Sequence, residues 1–116
     1  MPDKPLRWVG RALDSLRGFP EDVRRRAGYQ LRRLQQGLLP DDWRPMPGVG
    51  SGVAEIRLHG ASEHRVFYVA KFADGVYVLH AFEKRTRQTR RTDIELGRAR
   101  LAAVLRARRR RGEGDP

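Results

Sequence analysis

The sequence predicts an α+β domain: a small, mainly antiparallel four-stranded sheet with two N-terminal helices packed on one side and a C-terminal helix. Three observations carry this. Apolar residues recur at helical spacing before residue 37, three strand-like runs follow between residues 53 and 84, and a last helical stripe comes after them. With 116 residues, the chain fits one compact domain around one core.

Residues 6–9 form a short apolar opening compatible with a strand, and Ala12, Leu13 and Leu16 suggest a short helix ended by "GFP". A clearer helix follows, with Pro20 near its start, Glu21 and Asp22 in its first turn, and Val23, Ala27, Leu31 and Leu34 on one stripe; Gly37 stops it. Arg24, Arg25, Arg26, Arg32 and Arg33 lie largely off that stripe and read as a solvated face. The proline- and glycine-rich stretch 39–52 reads as a loop, pinned by Trp43 as a packing anchor.

The strand candidates are "VAEIRLH" (53–59), "HRVFYVAKF" (64–72) and "VYVLHAFEK" (76–84), the last two joined through "ADG" as part of an antiparallel meander. Alternation puts Ala54, Ile56 and Leu58 on one face, and sends Glu55, Arg57 and His59 to the other. In the third run Val76, Val78, His80, Phe82 and Lys84 alternate with Tyr77, Leu79, Ala81 and Glu83. Both sets are mostly apolar, as expected of a central strand covered on each side. "TDIE" (92–95) reads as a capping box opening a helix with Ile94, Leu101, Val104 and Leu105 on its inner stripe. The domain is expected to span residues 1–107, and residues 108–116 to form a basic, frayed tail.

Charge narrows the function. The chain carries 25 Lys+Arg against 14 Asp+Glu, a net +11, and only Lys4, Lys71 and Lys84 are lysines. Between Lys84 and Arg111 stand twelve cations and two acids, Asp93 and Glu95, so this stretch holds nearly all the surplus. Clustered arginine favours a polyanionic partner, because its planar fork of donors matches phosphate oxygens. The absence of cysteine suits a reducing compartment, and no run of about 18 uncharged apolar residues is present. A cytoplasmic protein without a membrane partner is expected.

No histidine pair has metal-ligand spacing, Gly48, Gly50 and Gly52 precede a strand rather than opening a helix, and no serine sits in a nucleophile motif. Neither a metal nor a cofactor is expected. What remains is a set at the strand ends: Arg57, Arg65, Lys71, Lys84, Arg85 and Arg87, with Tyr68, His80 and Phe82 nearby in sequence. RNA suits such a set, since its 2′-hydroxyl is the nucleophile and the protein need only move protons and hold the phosphate. Lys84 is the candidate proton acceptor, Arg57 or Arg65 the phosphate clamp, Phe82 or Tyr68 the stacking group, and Lys71, Arg85, Arg87, Arg90 and Arg91 the RNA grip. From the residues alone, a basic surface that binds nucleic acid without cleaving it stays open beside catalysis.

The segments "GVGSGVAEIRLHG", "HRVFYVAKFADGVYVLHAFEKRTRQT" and "TDIELGRARL" together resemble the phage-derived, HigB-like branch of the RelE/ParE superfamily of type II toxins, over roughly residues 6–107. The resemblance implies a RelE-like fold with an antiparallel or mixed sheet, and a ribosome-dependent mRNA endonuclease. It also implies a cognate helix-turn-helix antitoxin of HigA type, with operator DNA met through the antitoxin complex. Carried onto this chain, Arg57, Arg65 and Lys84 would hold the scissile phosphate and drive proton transfer, with His80, Phe82 and Tyr68 supporting or stacking. Two local departures stand out: Arg85 where many relatives have a second lysine, and no proline before the last helix. A ParE-like DNA gyrase inhibitor and a catalytically inactive nucleic-acid-binding accessory protein are the alternatives.

Overall fold

The computed structural model describes residues 2–112. The elements run β1 (Leu6–Trp8), α1 (Ala12–Arg17), α2 (Glu21–Gln35), β2 (Trp43–Pro45), β3 (Val53–Leu58), β4 (Glu63–Val69), β5 (Val76–Lys84) and α3 (Arg91–Arg110). The sheet has five strands in the order β1-β5-β4-β3-β2, antiparallel except where β1 runs parallel to β5. The architecture is the expected α+β class, with one strand more than four. The addition is β2, in the stretch read as a loop: Trp43 pairs with Ile56 and Pro45 with Ala54. Proline there is compatible with a strand because β2 lies at the sheet edge, where one row of backbone groups needs no ladder partner.

Two apolar layers cover the sheet. On one face Ala12, Leu16, Val23, Ala27, Leu31 and Leu34 of α1 and α2 pack on Ala54, Ile56, Leu58, Val66, Val76 and Val78, with Trp43 partly buried against them. On the other, Leu101 and Val104 of α3 pack on Val53, Phe67, Val69, Tyr77 and Leu79. Each fully buried Val, Leu, Ile or Phe side chain among these contributes about 1.5–3 kcal/mol. Gly97 sets how closely α3 approaches, since a Cβ there would meet Val49 and Phe67 at 2.9 and 3.0 Å.

Strand β5 is covered on both sides, but its side chains do not alternate throughout. Phe67 pairs with His80 and Tyr68 with Val78, leaving Leu79 as the extra residue of a bulge. Val76 and Val78 therefore face α1 and α2, whereas His80 and Phe82 join Phe67 on the α3 face. The expectation that Val76 to Lys84 share one face at every second position fails at that bulge. Arg100 of α3 donates to the Leu79 carbonyl at 2.9 Å and fixes the distortion.

Helix α3 also departs from expectation at both ends. It begins at Arg91, with Arg90 as N-cap and no side-chain cap bond; the Thr92–Glu95 capping box does not form. Starting two residues earlier puts Thr92 inside the first turn, and Glu95 pairs with Arg91 at 3.1 Å instead. Fraying from Arg108 is not seen, for the helix continues through Arg110. Arg108 is buried: its guanidinium lies 3.9 Å from the Phe72 ring centroid and bonds Asp74 at 2.5 Å. The remainder of the expected tail, residues 113–116, lies outside the described residues. Among the described residues no helix is long and apolar enough to cross a membrane.

Candidate active site

Register on the α3 face of the sheet brings the predicted residues into adjacent rows. Arg57, Arg65 and Phe82 form one row across β3, β4 and β5; Glu55, Phe67 and His80 form the next. Lys84, opposite Glu63, lies at the end of β5 on the same side as Phe82. Directly paired residues share a face of the sheet, so this juxtaposition follows from the register once the bulge at Leu79 has shifted β5.

The cations in these rows differ in how free they are. Arg65 is 2 % exposed and enclosed by acids, 3.5 Å from Glu55 and 3.1 Å from Glu63. Glu55 is itself buried and also meets Arg44 at 3.1 Å. Burial alone would raise the Glu63 carboxyl, but hydrogen bonds from His59 and Arg65 outweigh it and hold the pKa below the usual carboxylate range. Arg57 is half-buried, with Asp42 at 3.9 Å and its Nε buried without a hydrogen-bond partner. Lys84 is partly exposed, and its Nζ donates to the Arg87 carbonyl at 2.8 Å. That bond folds residues 84–87 back on themselves, so Lys84 and Arg87 stand together. Arg57 and Lys84 are thus the more accessible cations of the face, and Arg65 is a buried strut between them.

His80 does not open onto the surface. Its Nε2 meets Asp93 Oδ1 at 2.8 Å, its Nδ1 is buried without a partner, and its ring stacks on Phe82 with centroids 4.8 Å apart. Burial pushes its pKa below the ordinary value, with Asp93 opposing the shift. The contact ties the start of α3 to the middle of the sheet. Phe82 is correspondingly occupied, with His80 on one face and the Phe67 ring edge-on at 5.1 Å.

Two predicted residues lie elsewhere. Tyr68 faces the α1/α2 core and is 4 % exposed, where burial pushes its phenol up to about 12; the odd-even count within β4 puts it on the opposite side from Arg65. Lys71 is at the other end of β4 from Lys84, over the Phe72 ring at 5.3 Å. Arg85, Arg90 and Arg91 are exposed around the β5–α3 connection; Arg85 pairs with Glu83 at 3.1 Å. Sequence reasoning missed Asp93 and Glu55 as partners in the site. Asp93 was visible only as an acid at a helix start, and Glu55 only as a polar position in alternation. Among the described residues no group of three or more His, Asp or Glu side chains is placed to hold a metal ion.

The fold is that of a RelE-type toxin. A solved structure of the E. coli toxin RelE, an arginine-to-alanine double mutant in the free state, aligns with a TM-score of 0.62 at 16% identity, covering 89% of this chain and 99% of that one. The chain belongs to the family described as phage derived protein Gp49-like (DUF891), which it matches over residues 14–102. No curated protein matches it. The fold match agrees with the α+β architecture expected from the order of helices and strands.

Proposed function

We propose that the chain is the toxin of a type II toxin–antitoxin pair, of the HigB-like branch, acting as a ribosome-dependent endoribonuclease on mRNA. The observation that carries this is the placing of Arg57 and Lys84 on one face of a RelE-like sheet, on either side of the buried Arg65. A phosphate lying across that face would meet a guanidinium on β3 and an ammonium on β5.

In this reading the 2′-hydroxyl of the substrate attacks the adjacent phosphorus and forms a 2′,3′-cyclic phosphate, while the bond to the 5′-oxygen of the next nucleotide breaks and that oxygen takes up a proton from solvent. Lys84 accepts the hydroxyl proton, and Arg57 offsets the charge that develops on the phosphoryl oxygens. No metal-bound nucleophile is needed, since the RNA supplies its own. Arg65 and His80 hold the face in shape from beneath, while Arg85, Arg87, Arg90 and Arg91 add the cationic grip on RNA. The inhibitor would be a helix-turn-helix antitoxin of HigA type encoded nearby, and operator DNA would be met through that complex.

Expression in a bacterial host tests the reading as a whole. Growth arrest with loss of mRNA, relieved by the neighbouring open reading frame, is the expected result. A DNA-damage response with intact mRNA would assign the scaffold to gyrase instead, and absence of any toxicity would remove both toxin readings.

A further inference from the structure

On the side of Arg57 away from Arg65, a groove of about 460 Å³ opens between α2, the turn at Asp41 and Asp42, and the end of β3. Its floor is fixed by polar contacts. Gln30, buried in α2, donates from Nε2 to Asp41 Oδ2 at 2.8 Å and accepts from the Asp41 backbone N–H at 2.8 Å. His59 bridges Asp42 at 2.5 Å and Glu63 at 2.7 Å. Both aspartates are therefore already engaged within the protein, and their charge is largely met by neighbouring donors.

The groups left at the mouth have a different character. Tyr29 is 59 % exposed, a flat aromatic ring held out on a rigid helix. Arg25, one turn earlier on α2, is exposed and has no side-chain partner among the described residues. Arg57 lines the groove as well as the phosphate row, and its buried Nε is a donor in want of an acceptor. An aromatic face beside an arginine without a carboxylate partner, as Tyr29 stands beside Arg25, is the chemistry that holds a nucleotide, the ring stacking the base and the guanidinium meeting the phosphate.

We propose that this groove is a subsite for a nucleotide next to the scissile phosphate on the same single-stranded RNA, with Tyr29 stacking its base and Arg25 engaging its backbone. The assignment rests on the ribonuclease reading above, because Arg57 is what joins the groove to the reacting phosphate. It makes Tyr29 a substrate-binding residue that the helical pattern alone presents as part of a solvated face.

The test compares wild type, Tyr29→Ala and Tyr29→Phe on mRNA-programmed ribosomes, with 4-thiouridine placed in the message beside the cleavage position. The exposed ring contributes little to the core, so all three proteins should fold. Expected are a KM raised about tenfold in Tyr29→Ala with kcat unchanged, restoration in Tyr29→Phe, and a photo-crosslink from the message to the α2 peptide holding Tyr29. If wild type cleaves nothing, the ribonuclease reading fails and the subsite falls with it. If wild type cleaves and Tyr29→Ala matches it in KM, the subsite alone is overturned. Unchanged cleavage by Tyr29→Ala with lost inhibition by the antitoxin would likewise overturn it, assigning the groove to protein.

Discussion

Arg57 and Arg65 stand directly opposite one another on β3 and β4, yet they belong to different environments. Arg65 is buried among Glu55 and Glu63, whereas Arg57 leans to the sheet edge, 3.9 Å from Asp42. Removing the two should have unlike consequences. Arg65→Ala leaves Glu55 short of a partner in the interior and is expected to cost about 3–5 kcal/mol of stability, whereas Arg57→Ala costs about 1 kcal/mol or less. Urea unfolding of the two variants checks this. Equal midpoints would mean that Arg65 is not a strut, and loss of cleavage in Arg65→Ala could then be read as direct chemistry.

The His80–Asp93 contact predicts a pH dependence of stability. Burial holds the His80 pKa below its ordinary value of 6.5, so as pH falls through 6.5 the unfolded chain takes up a proton that the folded chain still refuses. Stability supplied by neutral His80 is thus present above about 6.5 and lost as pH drops toward the folded value. NMR titration of the ring should find the lowered pKa, and Asp93→Asn should lower it further by removing the carboxylate that opposes burial. An ordinary or raised value in wild type would contradict the geometry.

The bulge at Leu79 separates the aromatic residues by role. Tyr68→Phe should leave mRNA cleavage within about twofold of wild type, because its ring packs in the α1/α2 core, on the opposite face of the sheet from Arg57 and Arg65. Phe82→Ala removes the ring against which His80 and Phe67 rest, and should cost about 3–5 kcal/mol. Thermal unfolding and cleavage rates of the pair decide it: a cleavage defect in Tyr68→Phe at unchanged stability would place the phenol in the site after all.

At the C-terminal end, Arg108 is expected to matter where its neighbours do not. It stacks on Phe72 and bonds Asp74, while Arg109 and Arg110 are exposed. Arg108→Ala should lower Tm by about 5 °C, and Arg109→Ala or Arg110→Ala should leave it nearly unchanged. Equal effects at all three would show that the last turn is held by helix propensity rather than by this contact.

Much of the fold was legible in the sequence. Strand alternation fixed the faces of β3, and the apolar stripe of α2 was explicit in Val23, Ala27, Leu31 and Leu34. What escaped depended on partners distant along the chain. Trp43–Pro45 becomes a strand because the exposed edge of β3 accepts it, against its own composition. The bulge that turns His80 toward Asp93 depends on the register of β4, and Arg108 is buried by an aspartate and a phenylalanine from the β4–β5 turn. Within the site, the cations were visible as residue types. Which of them are spent on internal carboxylates was not, since Glu55, Glu63 and Asp42 meet them only in three dimensions.

The central claim is that Lys84, with Arg57, serves a phosphate on the α3 face of the sheet, and the chemistry of the cut end tests it most directly. Message recovered from translating ribosomes treated with wild-type protein should carry a 2′,3′-cyclic phosphate at the new terminus. Lys84→Ala should fold normally and reduce the rate of its formation by about 100-fold or more. Cleavage at the wild-type rate by Lys84→Ala, or a cut that leaves a free 3′-hydroxyl, would contradict the account.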